Sequence, residues 1–302
     1  MKKIYHICLS GQDEIMFRDE EDYIRGINCL CLAADKTQST LLAYSFMSNH
    51  AHLGVRTEDP DLLIKSFRYP YNRYFNSKYK RTGLLGERNF FKLEIEGLYH
   101  LLTAIAYILR NPLHHGVAAT PFGYRYSSIS ALFTEELGRF IEPELMPKKS
   151  QYRFLPDGAT LPEGFKMDKS GLILPESVVD IADLEHQFST ARTFLYYMNR
   201  LTSDAWKTEQ MQDETNTPLI TLEAIESGVG IRDMKALLSN EHGRQNYNAT
   251  SDIALCKEID SILSNDTIYT ITDFQIRNLA NLILKDKWIP YEQLKRCLAG
   301  RI

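Results

Sequence analysis

Apolar positions alternate or recur at helical spacing through the first third of the chain, and that pattern predicts its elements. Ile4 to Leu9 (Ile-Tyr-His-Ile-Cys-Leu) reads as a first strand, closed by Ser10-Gly11. An acidic cluster from Asp13 to Asp22 leads into a helix over roughly residues 20 to 35, with Ile24, Ile27, Leu30 and Cys31 at helical spacing. A strand rich in apolar residues (Leu41, Leu42, Ala43, Tyr44, Phe46) then ends near Met47, turns at Ser48-Asn49, and returns as a second strand to about Thr57. So short a link predicts an antiparallel hairpin. Asp59-Pro60-Asp61 is a helix start, with proline near the first turn and acids at the positive end of the dipole. That helix should run to about Lys80, bend at Pro70 and stop at Thr82-Gly83. Leu84 to Glu94 reads as a loop and short strand, and a further helix from Gly97-Leu98 should end at Asn111, because Pro112 disfavours helical geometry in the residue before it.

The rest of the chain is less regular. Pro143 to Pro175 is rich in proline, glycine and charge and predicts a linker or extended arm. From about Val178 the pattern turns helical, through Ile181, Leu184, Phe188, Phe194, Leu195, Met198 and Leu201. Ile220 to Leu238 and Thr272 to Leu298 each read as short helix pairs.

Composition changes this picture little. The apolar fraction of 44% and charged fraction of 25% are those of an ordinary soluble protein. The opening apolar run is broken by His6 and too short for a signal peptide, and no run is long enough to span a bilayer, so a cytoplasmic protein without a membrane partner is expected. Cys8, Cys29, Cys31, Cys256 and Cys297 are odd in number and hold no Cys-x-x-Cys pair, which predicts packed, reduced thiols rather than a disulfide or zinc framework.

Charge distribution changes it more. The net charge is -4, yet between Lys65 and Lys92 lie Lys65, Arg68, Arg73, Lys78, Lys80, Arg81, Arg88 and Lys92 with Glu87 the only acid. Phe67, Tyr69, Tyr71, Tyr74, Phe75, Tyr79, Phe90 and Phe91 are interleaved with them. Cations that follow phosphates and rings that stack on unpaired bases are the two components of single-strand binding. An amphipathic helix with its aromatics packed inward and its lysines merely solvated reads equally well.

Two further patterns carry chemistry. His50 and His52 stand at i and i+2 of a strand, so both imidazoles leave one face and could share a divalent cation; a half-exposed pair on an open sheet face is the plainer alternative. Tyr107 and Asn111 stand at i and i+4 of a helix and so share a face. A phenol beside a polarised phosphate can attack phosphorus, and a carboxamide oxygen suits a hard cation. Tyr107 also lies among Leu101, Leu102, Ile105, Ile108 and Leu109, as a core tyrosine would.

Taken in order, five motifs resemble one family. They are Met47-Ser48-Asn49-His50-Ala51-His52-Leu53, Asn72 to Tyr79, Gly83-Leu84-Leu85-Gly86-Glu87-Arg88, Tyr107-Ile108-Leu109-Arg110-Asn111-Pro112-Leu113, and Tyr124-Arg125-Tyr126-Ser127-Ser128. The pattern, over about residues 3 to 133, is similar to the HUH single-tyrosine transposases, most of all the REP-associated tyrosine transposases and the related IS200-like group. Leu84 and Gly86 replace the family's usual histidine and aromatic, and Arg125-Tyr126 its usual Pro-Trp.

The resemblance implies an α+β fold, a small α/β sandwich with a central antiparallel sheet, ferredoxin-like, over 1–142; the residue pattern beyond it predicts a linker or arm over 143–176 and a mostly α-helical accessory domain over 177–302. It implies His50, His52 and Asn111 as ligands of a divalent metal, Mg or Mn, and Tyr107 as nucleophile. It places Arg68, Arg73, Tyr74, Lys78, Lys80, Arg81, Arg88 and Lys92 in the region that meets DNA. The implied substrate is single-stranded DNA near a hairpin, cut through a 5′-phosphotyrosine, with a homodimer among the assemblies open to it. Ile231–Leu238 and Tyr291–Leu298 somewhat resemble helix-turn-helix segments, although the second has little chain after it for a recognition helix. Two other readings stand beside this one: a DNA-binding descendant that no longer cuts, and a metal hydrolase drawing a carboxylate from Glu87 or Glu94.

Overall fold

The computed structural model describes residues 1–114, 117–118, 121–199, 250–287 and 289–302. Strands β1 (Lys3–Ser10), β2 (Thr40–Phe46), β3 (His50–Thr57) and β4 (Phe91–Ile95) form one sheet in the order β2-β3-β1-β4, with every neighbouring pair antiparallel. The fold is therefore α+β, as expected, with the histidine-bearing strand in an inner position.

Helices close both faces of the sheet. Helix α1 (Glu20–Lys36) starts at a capping box in which Asp19 and Asp22 each accept from the other's backbone N–H, with Glu20 and Glu21 adding negative charge at the positive end of the dipole. Helix α2 (Pro60–Tyr79) is capped by Asp59 and runs unbroken through Pro70. It ends just before the expected Thr82-Gly83 stop, where Lys80 takes a left-handed conformation and the N–H groups of Lys80 and Arg81 return to the Asn76 carbonyl. These two helices bury the face of Ile7, Leu9, Leu53 and Val55, and Phe17, Phe46, Phe67 and Tyr71 interlock there.

Helix α3 (Leu98–His114) covers the other face. It does not stop at Asn111 as expected but continues through Pro112 to His114, since the bias against helix before proline is weaker than burial of an apolar helix face. Gly54 lets this helix approach: a Cβ there would stand 3.0 Å from Ile105 Cδ1 and 3.2 Å from Ile108 Cδ1. Gly54→Val should accordingly force α3 off the sheet and cost about 1–3 kcal/mol by overpacking, read as a lower denaturation midpoint. An unchanged midpoint would show that the two isoleucines can turn aside.

The β2 edge of the sheet is covered. The Tyr-Arg-Tyr-Ser-Ser motif lies along β2: Phe46 N–H donates to the Tyr126 carbonyl, Tyr44 N–H to Ser128 Oγ, and Ser127 Oγ to the Tyr44 carbonyl. Its tyrosines pack inward, Tyr126 stacking on Tyr23 with ring centroids 4.1 Å apart. The Pro143–Pro175 segment, including the one-turn helix α4 (Lys148–Gln151), is an arm laid against α1 rather than a loose tether. Asn28 holds it, donating to the carbonyls of Phe154 and Gly171 and accepting from Ile173 N–H. Helices α5 (Ile181–Phe188) and α6 (Ala191–Asn199) join the same core through Leu184, Phe188, Phe194 and Met198.

A second core belongs to α7 (Asp252–Leu263), α8 (Asp273–Asp286) and α9 (Tyr291–Cys297), joined by Ile15 from the segment between β1 and α1. The expected helices over Ile220–Leu238, with the helix-turn-helix-like stretch Ile231–Leu238, lie outside the described residues, as does Leu201. None of the five cysteines is in a disulfide, and all are buried. No helix among the described residues is long and apolar enough to cross a membrane.

Candidate active site

The register of the inner strands assembles the site. Ser10 pairs with His50, Cys8 with His52 and His6 with Gly54, and residues directly opposite in an antiparallel pair project to the same face. Three imidazoles, those of His6, His50 and His52, therefore stand on the face that α3 covers. Tyr107 and Asn111, one turn apart on α3, point into it. The Tyr107 ring lies 5.3 Å from the His52 ring and 5.8 Å from that of His6, edge to face in both cases. Asn111 Oδ1 is 3.0 Å from His50 Nε2. The four residues singled out for chemistry are thus brought together, with His50 and His52 rings 5.2 Å apart.

Each histidine of β3 has a partner at its Nδ1. For His50 it is Asn49 Oδ1 at 2.9 Å, and for His52 it is His6 Nε2 at 3.0 Å. Burial lowers the His50 pKa to about 4, the Asn111 contact opposing it only in part, and lowers that of His6 to about 3. At neutral pH the His50 ring therefore carries a single N–H, which can serve Asn49 or Asn111 but not both. If Nδ1–H donates to Asn49, the Nε2 lone pair faces the Asn111 oxygen. Turning the Asn111 carboxamide would pair its Nδ2, which is buried without a hydrogen-bond partner among the described residues, but would put Oδ1 in the same position. Two converging lone pairs are what a cation requires, and donors at adjacent corners around a small divalent ion, with bonds of ~2.1 Å, also stand about 3 Å apart. His50 Nε2 and the Asn111 oxygen could thus share a divalent cation, with the His52 ring 5.2 Å from that of His50 as the neighbouring candidate ligand. No group of three or more His, Cys, Asp or Glu side chains among the described residues is arranged to do so, so the site depends on the carboxamide.

No family model matches the sequence, and no curated protein matches it. Among solved structures, one described as a REP-associated tyrosine transposase bound to a REP hairpin is similar, with a TM-score of 0.39 and 12% identity over 47% of this chain and 84% of that one. So distant a likeness bears on neither activity nor partner.

The basic residues between 65 and 92 do not form one face. Arg68 turns inward and donates to the carbonyls of Leu85, Glu87 and Arg88, pinning the loop that follows α2. Lys78 is held by Asp19, Glu21 and Asp22, and Tyr74 donates to Asp22 under the Arg25 guanidinium. Arg81 pairs with Glu14 and also donates to the carbonyls of Thr82, Gly83 and Leu84. Lys92 meets Asp61, Lys80 donates to the Asn265 carbonyl, and Arg73 lies 3.9 Å from Asp157. Of the aromatics, Phe67, Tyr71, Phe75 and Tyr79 are core.

What remains outside is a narrower stripe: Lys65, Tyr69, Arg73, Ser77 and Lys80, spaced every three or four residues along α2, are all exposed, Tyr69 at 65%. Arg88 is exposed on the adjoining loop, where Glu87 N–H donates to the carbonyl of Ser10, the residue paired with His50.

Sequence reasoning missed His6 and Asn49 as parts of the site. His6 was detectable, because it lies in phase with Cys8 and Ser10 on a strand that had to pair with the histidine strand. Asn49 stands in the first of the five motifs and in a turn, but neither assigns its side chain a role at His50.

Proposed function

We propose that this chain is a metal-dependent single-tyrosine transposase that cuts and rejoins single-stranded DNA near hairpins. The observation that carries the reading is that one helix presents Tyr107 and Asn111 together to the strand bearing His50 and His52. The order of the five sequence motifs supports it independently.

A divalent ion, Mg or Mn, held by His50, His52 and Asn111 would polarise a non-bridging phosphate oxygen. Tyr107 Oη then attacks phosphorus in line, forming a 5′-phosphotyrosine as the bond to the departing 3′-oxygen breaks. A 3′-hydroxyl from a second strand end reverses the step and regenerates the phenol, so the energy of the phosphodiester bond is conserved. Tyrosine has an ordinary pKa of about 10, so its proton must leave as the attack proceeds. The α3 backbone holds the phenol in place for this, one turn from Asn111.

The exposed stripe on α2 is the track for the DNA backbone, leading by way of Arg88 toward the end of β1 beside His50. Lys65→Ala and Arg73→Ala together should weaken binding of a hairpin oligonucleotide and lower the salt slope of log K by roughly 0.7 per lost contact. Tyr69→Ala should cost about 1–3 kcal/mol of binding if a base stacks on it. The same losses from Lys78→Ala, whose charge is already matched by carboxylates, would place the track elsewhere.

A catalytically silent hairpin-binding protein is favoured by one observation, that Tyr107 is only 6% exposed. Incubating the protein with labelled single-stranded DNA from beside its own gene and Mn2+, then resolving the products on a denaturing gel, separates the two. A covalent protein-DNA band is expected of the transposase, and binding with no such band would identify the silent form.

A further inference from the structure

We infer that His6 is a positioning residue: it holds the His52 ring with the proton on Nδ1, so that Nε2 is the nitrogen presented for coordination. This deepens the metal-site reading above and rests on it. His6 is fully buried in β1, its Nε2 is 3.0 Å from His52 Nδ1, and the two rings stack with centroids 5.2 Å apart at 25°. The same ring also lies edge to face against Phe91 and Tyr107.

Packing does not explain a histidine here. Its Nδ1 is buried with no hydrogen-bond partner among the described residues, a cost that a phenylalanine in the same aromatic nest would not carry. An imidazole at this place can do what a phenyl ring cannot: its Nε2 lone pair can accept a hydrogen bond from His52 Nδ1–H. Metal-binding histidines commonly donate their second ring N–H to an outer partner, which fixes tautomer and ring orientation. Asn49 stands in that relation to His50 at 2.9 Å, and His6 to His52. The two outer partners differ in one respect. Asn49 is adjacent in sequence to its ligand, whereas His6 reaches its own across the sheet, so strand pairing itself sets the ring.

The test compares the full chain with His6→Phe and His6→Gln. In metal-free protein, long-range 1H–15N correlation spectra of the histidine rings should show His52 protonated on Nδ1 in the wild type. In His6→Phe it should shift toward the Nε2–H form, and in His6→Gln, whose carboxamide oxygen can accept, the Nδ1–H form should be kept. Mn2+ affinity should fall about 10–100-fold in His6→Phe and recover in His6→Gln, while thermal stability of the Phe variant is unchanged or higher. A His52 ring not protonated on Nδ1 in the wild type, one that keeps the Nδ1–H form in folded His6→Phe, or one that loses it in folded His6→Gln overturns the inference. Wild-type protein that binds no Mn2+, yet changes tautomer on His6→Phe, would sink the metal reading and leave the effect of His6 on His52 standing.

Discussion

Tyr107→Phe protein should bind hairpin DNA as the wild type does and form no covalent adduct with it. Phenylalanine keeps the ring that meets His52 at 5.3 Å and His6 at 5.8 Å, and it keeps the apolar contacts of α3 with the sheet. It removes one oxygen. Folding should therefore change by less than about 1 kcal/mol, because a single hydrogen-bonding group is lost from a site whose shape is preserved. Adduct formation should fall by about a thousandfold or more, to background, as is usual when a nucleophile is deleted. A denaturing gel reads the adduct and a mobility shift reads binding. Adduct that persists in the Phe protein would move the nucleophile to another residue.

The second large effect is expected at a distance from the chemistry. Asp252, at the start of α7, accepts two hydrogen bonds from Arg296 at 2.8 and 3.0 Å, one from Gln293 at 2.9 Å and one from Ser48 Oγ at 2.6 Å. Ser48 is two residues from His50, so the last of these ties the C-terminal helices to the turn that launches β3. Arg18 makes a parallel link, donating to Asp260 and to the Cys297 carbonyl from a fully buried position. Asp252→Ala takes away the carboxylate that Arg296, Gln293 and Ser48 share at a largely buried junction, and removing one partner of such a pair costs up to about 3–5 kcal/mol. The expected result is an earlier unfolding transition for the α7–α9 unit and its easier removal by protease. A variant that melts with the wild type would assign the docking to Arg18 and the apolar contacts around Ile15.

Acid should act on the same junction. Burial opposes the Asp252 charge, but Arg296 and the hydrogen bonds from Arg296, Ser48 and Gln293 outweigh it and hold the carboxyl below its ordinary value. A carboxyl depressed in the folded state contributes stability that is complete above its unfolded pKa of about 4 and is lost as the pH falls through the lower folded value. Docking should therefore loosen on acidification below about pH 4 in the wild type and lose that dependence in Asp252→Ala.

How much of this was legible beforehand differs between elements for physical reasons. The strand–helix–hairpin–helix order up to Asn111 follows from local rules: capping acids at Asp19 and Asp59, alternation around His50, and helical spacing on α3. Pro112 was misread because a local backbone bias was weighed without the burial that overrides it. The basic run from Lys65 to Lys92 fits a DNA-facing surface and a helix with its aromatics turned inward equally well, because charge in a sequence has no direction. Lys78 and Arg81 turn to carboxylates that arrive from Asp19, Asp22 and Glu14, far away along the chain. The paired serines, the end of the last family-like motif, cover an exposed strand edge, a role that depends on a strand far away along the chain.

By itself the chain determined which side chains share a face. A period of two puts His50 with His52, and a period of 3.6 puts Tyr107 with Asn111. Whether those faces meet is a matter of register and crossing, which depend on contacts between residues distant in sequence. The pairing of Cys8 with His52 brought in His6, and the glycine at position 54 let α3 come close enough for Asn111 to reach His50. Local geometry is written residue by residue, while the junction of strand and helix is settled only when the whole core closes over both.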